Sequence, residues 1–186
     1  MPITLDGTTG LTSPAGTFSN SLQVGGISTS LYPLVSGTAV ASTSGTSIDF
    51  TGIPSWVKRI TVMFQGVSTN GSSIIQIQLG TSSGVTTSGY LGSTAFVGSS
   101  TGGARSTTGL LVAPVDAATV SHGSAIISAV GSNSWVHQAT IGRSTSDFAC
   151  LSGGSVALSG VLDRVRITTV NGTDAFDAGT INILYE

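Results

Sequence analysis

What this chain lacks first is charge. It carries six Lys or Arg and eight Asp or Glu in 186 residues, or 8%, where an ordinary soluble domain has roughly 25%. Lysine occurs once, at Lys58, and glutamate once, at Glu186. The few cations, Lys58, Arg59, Arg105, Arg143, Arg164 and Arg166, do not make the cluster that displaces counterions from phosphates, so nucleic acid is set aside as a partner. The single Cys150 excludes an internal disulfide and a thiolate metal cluster. No apolar run approaches the roughly 20 residues of a membrane span, so no membrane insertion is expected. No basic segment leads into an apolar one at the amino end, so no signal peptide is expected.

Helix-forming stretches are missing too. Gly and Pro interrupt the chain throughout, and the apolar residues recur every second position rather than every third or fourth. What is present is hydroxyl: 30 Ser and 26 Thr, with 26 Gly beside them. Such a surface is wetted by hydroxyls and backbone instead of by ionic side chains, which is unusual for a free monomer. It suits a protein largely covered by copies of itself or by other subunits.

The clearest pattern lies at 44–80. Ile48 and Phe50 alternate with Asp49, and the strand stops before Pro54. Ile60, Val62 and Phe64 share one face of the next strand. Ile75, Ile77 and Leu79 share one face of another, and a polar link at 66–73 joins the two. An antiparallel hairpin is the simplest reading of that pair. Further on, Ala125, Ile127 and Ala129 alternate. Trp135, His137, Ala139 and Ile141 follow on one face after a Gly131-Ser132-Asn133 turn. Phe148 to Leu151 and Val156 to Leu158 read as short apolar pieces between Gly-Ser turns. Val165 and Ile167 face inward, Asn171-Gly172 turns the chain, and Ile181, Ile183 and Tyr185 close it. The stretch 81–109 is nearly all small residues and reads as long loops with one or two short strands. VKRITV at 57–62 and RVRITTV at 164–170 share a phrase, which suggests neighbouring strands of one sheet. The fold class expected is all-β: an antiparallel β-sandwich of the jelly-roll kind over 46–186. An extended arm at 1–45 precedes it, too rich in Leu, Ile, Val and Phe for an inert linker.

Three segments carry a resemblance. MPITLDGTTGLTSP at 1–14 and FSNSLQVGGIST at 18–29, with its Leu22-Gln23-Val24-Gly25-Gly26 phrase, resemble the amino-terminal segments of phage and prophage tail-fibre proteins. SIDFTGIPSWVKRITVMFQGVSTNGSS at 47–73 resembles a carboxy-terminal module of such proteins, and DAFDAGTINILYE at 174–186 resembles the end of that module. The resemblance implies a virion structural protein of a tailed phage, usually homotrimeric, bound to other virion proteins through its arm. It implies no enzyme and no shared site motif.

Chemistry-bearing groups are sparse. His122 and His137 need a third ligand of equal quality to hold zinc. Gly98-Ser99-Ser100-Thr101-Gly102 matches a nucleophile elbow in letters only, with no helix after it. Asp163, Asp174 and Asp177 are close in sequence, but Asp174 and Asp177 flank Phe176 and read as turn formers before an acid–base pair, and two carboxylates are too few for a calcium site. No catalytic residue, metal or cofactor is expected. Tyr90, Phe96, Arg105, Arg143, Trp56 and Trp135 are the expected receptor or interface contacts. An exposed aromatic ring can grip a sugar with Arg nearby, and the two Trp can equally pack in the core or at a subunit seam. The expectation is therefore a tail fibre or receptor-binding appendage, located in the virion. It would recognise a host-surface glycan or protein without covalent chemistry, through loops near 81–109 and 142–155. A capsid decoration protein or a tail-hub adaptor is the alternative. A glycan depolymerase lacks both a credible acid–base pair and the repeats of a parallel β-helix.

Overall fold

The computed structural model describes residues 21–24, 27–30, 34–114, 116–117 and 119–186. They fall in two units divided after Pro33. In the first, Ser21–Val24 (β1) pairs antiparallel with Ile27–Ser30 (β2). The remainder of the expected arm up to Pro33 lies outside the described residues. The arm does not extend to 45. Val35–Ser36 (β3) and Val40–Ala41 (β4) both pair with the last strand, Phe176–Tyr185 (β16), so the second unit begins at Leu34.

That second unit is a sandwich of two antiparallel sheets, with no helix among the described residues. The larger sheet has nine strands. From its free edge inward run Thr101–Ser106 (β10), Leu91–Val97 (β9), Ala149–Ala157 (β14), Ser134–Arg143 (β13), Ser121–Ala129 (β12) and Arg59–Thr69 (β6), then β16 with β3 and β4 beside it. The smaller sheet runs Leu110–Ala113 (β11), Ile75–Thr81 (β7), Arg164–Thr169 (β15) and Ser47–Thr51 (β5), with Gly84–Val85 (β8) also on β7. Period-2 alternation puts the branched residues between the sheets. In the larger sheet Ile60 sits opposite Ile127, Val62 between Ala125 and Ile183, and Phe64 beside Ile181. In the smaller sheet Leu110, Ile77, Ile167 and Ile48 form one inward row, and Leu79, Val165 and Phe50 the next. All of these are buried in one continuous core.

Four local expectations change. The strands β6 and β7 are not a hairpin: β6 joins β12 to β16 in the larger sheet, while β7 lies between β11 and β15 in the smaller. Strand β7 is buried on both faces from Ile75 to Gly80, which a two-stranded hairpin could not provide. The shared Arg-Ile-Thr phrases fall in opposite sheets, on β6 and β15. The apolar pieces at 148–158 are one strand, β14, running through Gly153-Gly154. A Cβ on Gly154 would come within 2.7 Å of the Leu91 carbonyl and 3.0 Å of Gly92 Cα, so glycine is what lets β9 lie against β14. Finally, 91–106 is a regular hairpin, β9 with β10, Val97 opposite Thr101. Its alternation is weak in sequence because small residues fill both faces.

Candidate functional site

The outward face of the larger sheet is built by the same alternation that fills the core. Cross-strand register aligns Gly103, Ala95, Leu151, Thr140, Ser124, Met63 and Asn182 in one row across seven strands. A second row, two residues along, holds Arg105, Ser93, Gly153, Gln138, Ile126, Thr61 and Leu184. Toward the ends lie Leu91, Ser155, Val136, Ser128 and Arg59 on one side, and Val97 with Ala149 on the other. Of the eight large apolar residues exposed in the described chain, four stand here: Leu91 (72%), Leu151 (58%), Val97 (54%) and Val136 (42%). Single exposed apolars are ordinary, but four on one face interspersed with Ala, Gly and Ser are less so.

Charge is almost absent from this face. Arg59 is ion-paired with Glu186. Arg105, on the edge strand β10, is the other ionic group in these rows. His122 stands on the same face, its Nδ1 accepting the Gly66 amide proton at 3.2 Å. Seven strands about 4.8 Å apart and some 20 Å long give an area of about 700 Å². That is close to the roughly 800 Å² each partner contributes to a standard interface.

The six residues expected as contacts are dispersed. Tyr90 is wholly buried. Strand β11 begins opposite Ile77, so the Leu79 amide has no strand partner there, and the Tyr90 hydroxyl accepts its proton at 2.8 Å. That hydroxyl in turn donates toward the carbonyls of Thr86 at 2.9 Å and Leu79 at 3.2 Å. Burial pushes its pKa up to about 12, against a smaller opposite effect of the Leu79 backbone. Tyr90 is thus an internal post and not a receptor contact. Trp135 is also buried, in the core. Trp56 is half-buried, its ring tilted on Tyr185 with centroids 6.0 Å apart. Phe96 and Arg143 do come together, through a residue that sequence reasoning passed over. Phe148 packs edge-on to Phe96 at 5.6 Å and lies 5.4 Å beneath the Arg143 guanidinium, which also donates to the Pro114 carbonyl. Arg105 alone of the six is freely exposed.

The two histidines do not meet. His122 faces outward on β12, and His137 is buried on the inner face of β13. Among the described residues no three His, Cys, Asp or Glu form a metal-holding group. The stretch 98–102 connects β9 to β10 and continues as strand, so Ser100 is not strained at a strand–helix turn. Asp174 accepts the Ser73 amide proton at 2.8 Å and one from Asn171 Nδ2 at 2.6 Å; Asn171 first, then Ser73, holds its carboxyl below the usual range. Asp177 accepts the Ser68 hydroxyl proton. Asp174 ties the 171–174 turn to Ser73, whereas Asp177 lies in β16 and bridges it to β6 rather than forming a turn. Compared with models of known families, with curated proteins and with solved structures, the chain matches none.

Proposed function

We propose that this protein is a structural component of a tailed-phage virion, a tail fibre or receptor-binding appendage that acts by non-covalent contact. It assembles on copies of itself, three around an axis, and its amino-terminal region engages other virion proteins. The observation that carries the assembly half of this reading is the outward face of the larger sheet. It is wide, apolar at Leu91, Val97, Val136 and Leu151, and without an unpaired ionic group apart from Arg105. Hydroxyl- and glycine-rich surface of that kind is readily desolvated against a like surface, because no isolated charge must leave water. The virion half of the reading is supported by the resemblance of 1–14, 18–29, 47–73 and 174–186 to tail-fibre segments.

Sedimentation of the purified chain at micromolar concentration is the direct test. A trimer is expected, and a stable monomer would overturn the assembly reading. Electron microscopy of intact particles tests the location: density at the tail is expected, whereas density over the head shell would replace the fibre with a decoration protein.

A further inference from the structure

The opposite surface of the sandwich, the outward face of the smaller sheet, has a different chemistry. Its register aligns Gln76, Thr168 and Ser47 in one row and Gln78, Arg166 and Asp49 in the next. The segments around Thr87 and Thr108 flank these rows, leaving a cavity of about 330 Å³ over Gln76, Gln78, Thr168 and Arg166. That volume is at the lower end of the range of small-molecule sites, roughly 300–1,000 Å³. Two glutamines at its floor are almost wholly buried, Gln76 at 2% and Gln78 at 7%.

Gln78, Thr168 and Arg166 each keep hydrogen-bonding capacity uncommitted among the described residues, and Gln76 is held at both ends with one amide proton to spare. Gln78 Nε2 donates to the Thr108 carbonyl at 2.9 Å, while its Oε1 accepts nothing among the described residues. Gln76 Oε1 accepts from Thr108 Oγ1 at 3.2 Å, and its Nε2 reaches the Thr169 carbonyl only at 3.4 Å. Thr168 Oγ1 donates to the Thr46 carbonyl at 2.8 Å and keeps its lone pairs. Arg166 clasps Asp49 with Nε and Nη2, both at 2.7 Å, leaving Nη1 without a partner among the described residues. The fork is therefore rigid and its charge is cancelled.

We propose that this cavity binds a neutral saccharide ring. Its walls mix acceptors (Gln78 Oε1, Thr168 Oγ1) with donors (Arg166 Nη1, Gln76 Nε2) at close spacing. A ligand satisfying both at once needs groups that donate and accept together, which is the property of a set of hydroxyls. An anion fits poorly, because the Asp49 carboxylate already occupies the guanidinium fork. An apolar ligand would strand the buried amides. The inference rests on the recognition half of the proposed function, supplying its ligand class, and is independent of the assembly half.

The test is a titration of the isotope-labelled full chain, followed by amide and side-chain NMR shifts. The probes are the methyl glycosides of glucose, galactose and N-acetylglucosamine, with inorganic phosphate as the charged control. Saturable shifts at Gln76, Gln78, Thr108 and Thr168 are expected with at least one glycoside in the millimolar range, and none with phosphate. Gln78→Leu should weaken that binding roughly tenfold, about one buried hydrogen bond's worth. Thr168→Val provides a second variant should Gln78→Leu lose its dispersed spectrum, with the same expected loss. Glycoside shifts confined to β9 and β10 would overturn the site while leaving host recognition standing. Phosphate shifts in the cavity, or no glycoside shift up to the solubility limit, would overturn the ligand class; sedimentation decides the assembly reading separately.

Discussion

His137 is the most consequential buried titratable group in the sandwich. It lies on the inner face of β13, opposite Ile127 on one side and Gly154 on the other, 5% exposed, and neither ring nitrogen has a hydrogen-bond partner among the described residues. Burial pushes its pKa down from 6.5 to about 4. The unfolded chain therefore takes up the proton first. Stability present above about pH 6.5 is lost as the pH falls, and the loss is complete below about pH 4. The gap corresponds to about 3 kcal/mol at the acid end and about 2 kcal/mol at pH 5. Against a total of roughly 5–15 kcal/mol, that is a large fraction. The perturbation is His137→Leu, which removes both unpartnered nitrogens at similar volume. Urea unfolding of the wild type and the variant, at pH 7 and pH 5 and constant ionic strength, isolates the effect. The carboxylates and His122 are common to both proteins and cancel in the difference. The variant is expected to match or exceed wild-type stability at pH 7 and to lose about 2 kcal/mol less on going to pH 5. Parallel pH dependence of the two proteins would refute the reasoning.

Three further outcomes follow from the same geometry. Leu151→Glu places a charge at the middle of the apolar face; sedimentation should show dissociation, while the subunit still unfolds cooperatively at a temperature that, unlike the wild type's, does not change with protein concentration. Self-association of the unmodified chain should change little between low and high salt, because the face carries only one ion pair, Arg59 with Glu186, and one further cation, Arg105, for salt to screen; a steep salt dependence in sedimentation would contradict it. Tyr90→Phe leaves the buried Leu79 amide without an acceptor and should destabilise the fold by about 1–3 kcal/mol in urea titrations.

The parts of the fold legible in the sequence are those where large branched residues alternate. Ile60, Val62 and Phe64 in β6, Trp135 to Ile141 in β13, and Ile181, Ile183 and Tyr185 in β16 alternate at every second position, and each strand runs where that alternation places it. Strands β9 and β10 were illegible as a pair because Gly, Ala, Ser and Thr occupy both faces, and period-2 contrast disappears when both faces are small. Strand β14 reads as two pieces because Gly153-Gly154 looks like a turn in sequence. Its role, close approach of β9, depends on Gly92 and Leu91, far away in sequence. Pairing was less legible still. Nothing local in β6 or β7 indicates that the link between them crosses from one sheet to the other; that depends on which strands compete for each edge. The site residues split on the same ground. Tyr90 seemed a free ring in a loop because its partner, the unpaired Leu79 amide, exists only once β11 has started too late to cover it. Gln76 and Gln78 did announce themselves as outward by alternating with Ile75, Ile77 and Leu79. Their burial, and hence their interest, came from the Thr87 and Thr108 segments folding beside them.

The placement of the few charges explains how one sandwich can present two such different faces. Arg59 is held by Glu186, Arg164 by Asp163 at 3.0 Å, and Arg166 by Asp49, while Arg143 is spent on the Pro114 carbonyl and the Phe148 ring. These four arginines thus fix edges and loop ends, and Lys58 and Arg105 are the exposed cations that remain to wet the surface. Wetting falls to Ser and Thr, whose hydroxyls can exchange a water for a neighbour's carbonyl at small net cost, whereas an ammonium group would have to be paired or left behind. On the larger sheet, where Leu and Val alternate with those hydroxyls, the result is a surface that a second copy can cover. On the smaller sheet, where glutamines and a neutralised arginine take the same outward positions, the result is a concave set of donors and acceptors too polar to be covered by a flat apolar partner. The two faces therefore do not compete for one ligand, and a substitution that abolishes assembly through Leu151 should leave binding over Gln78 intact.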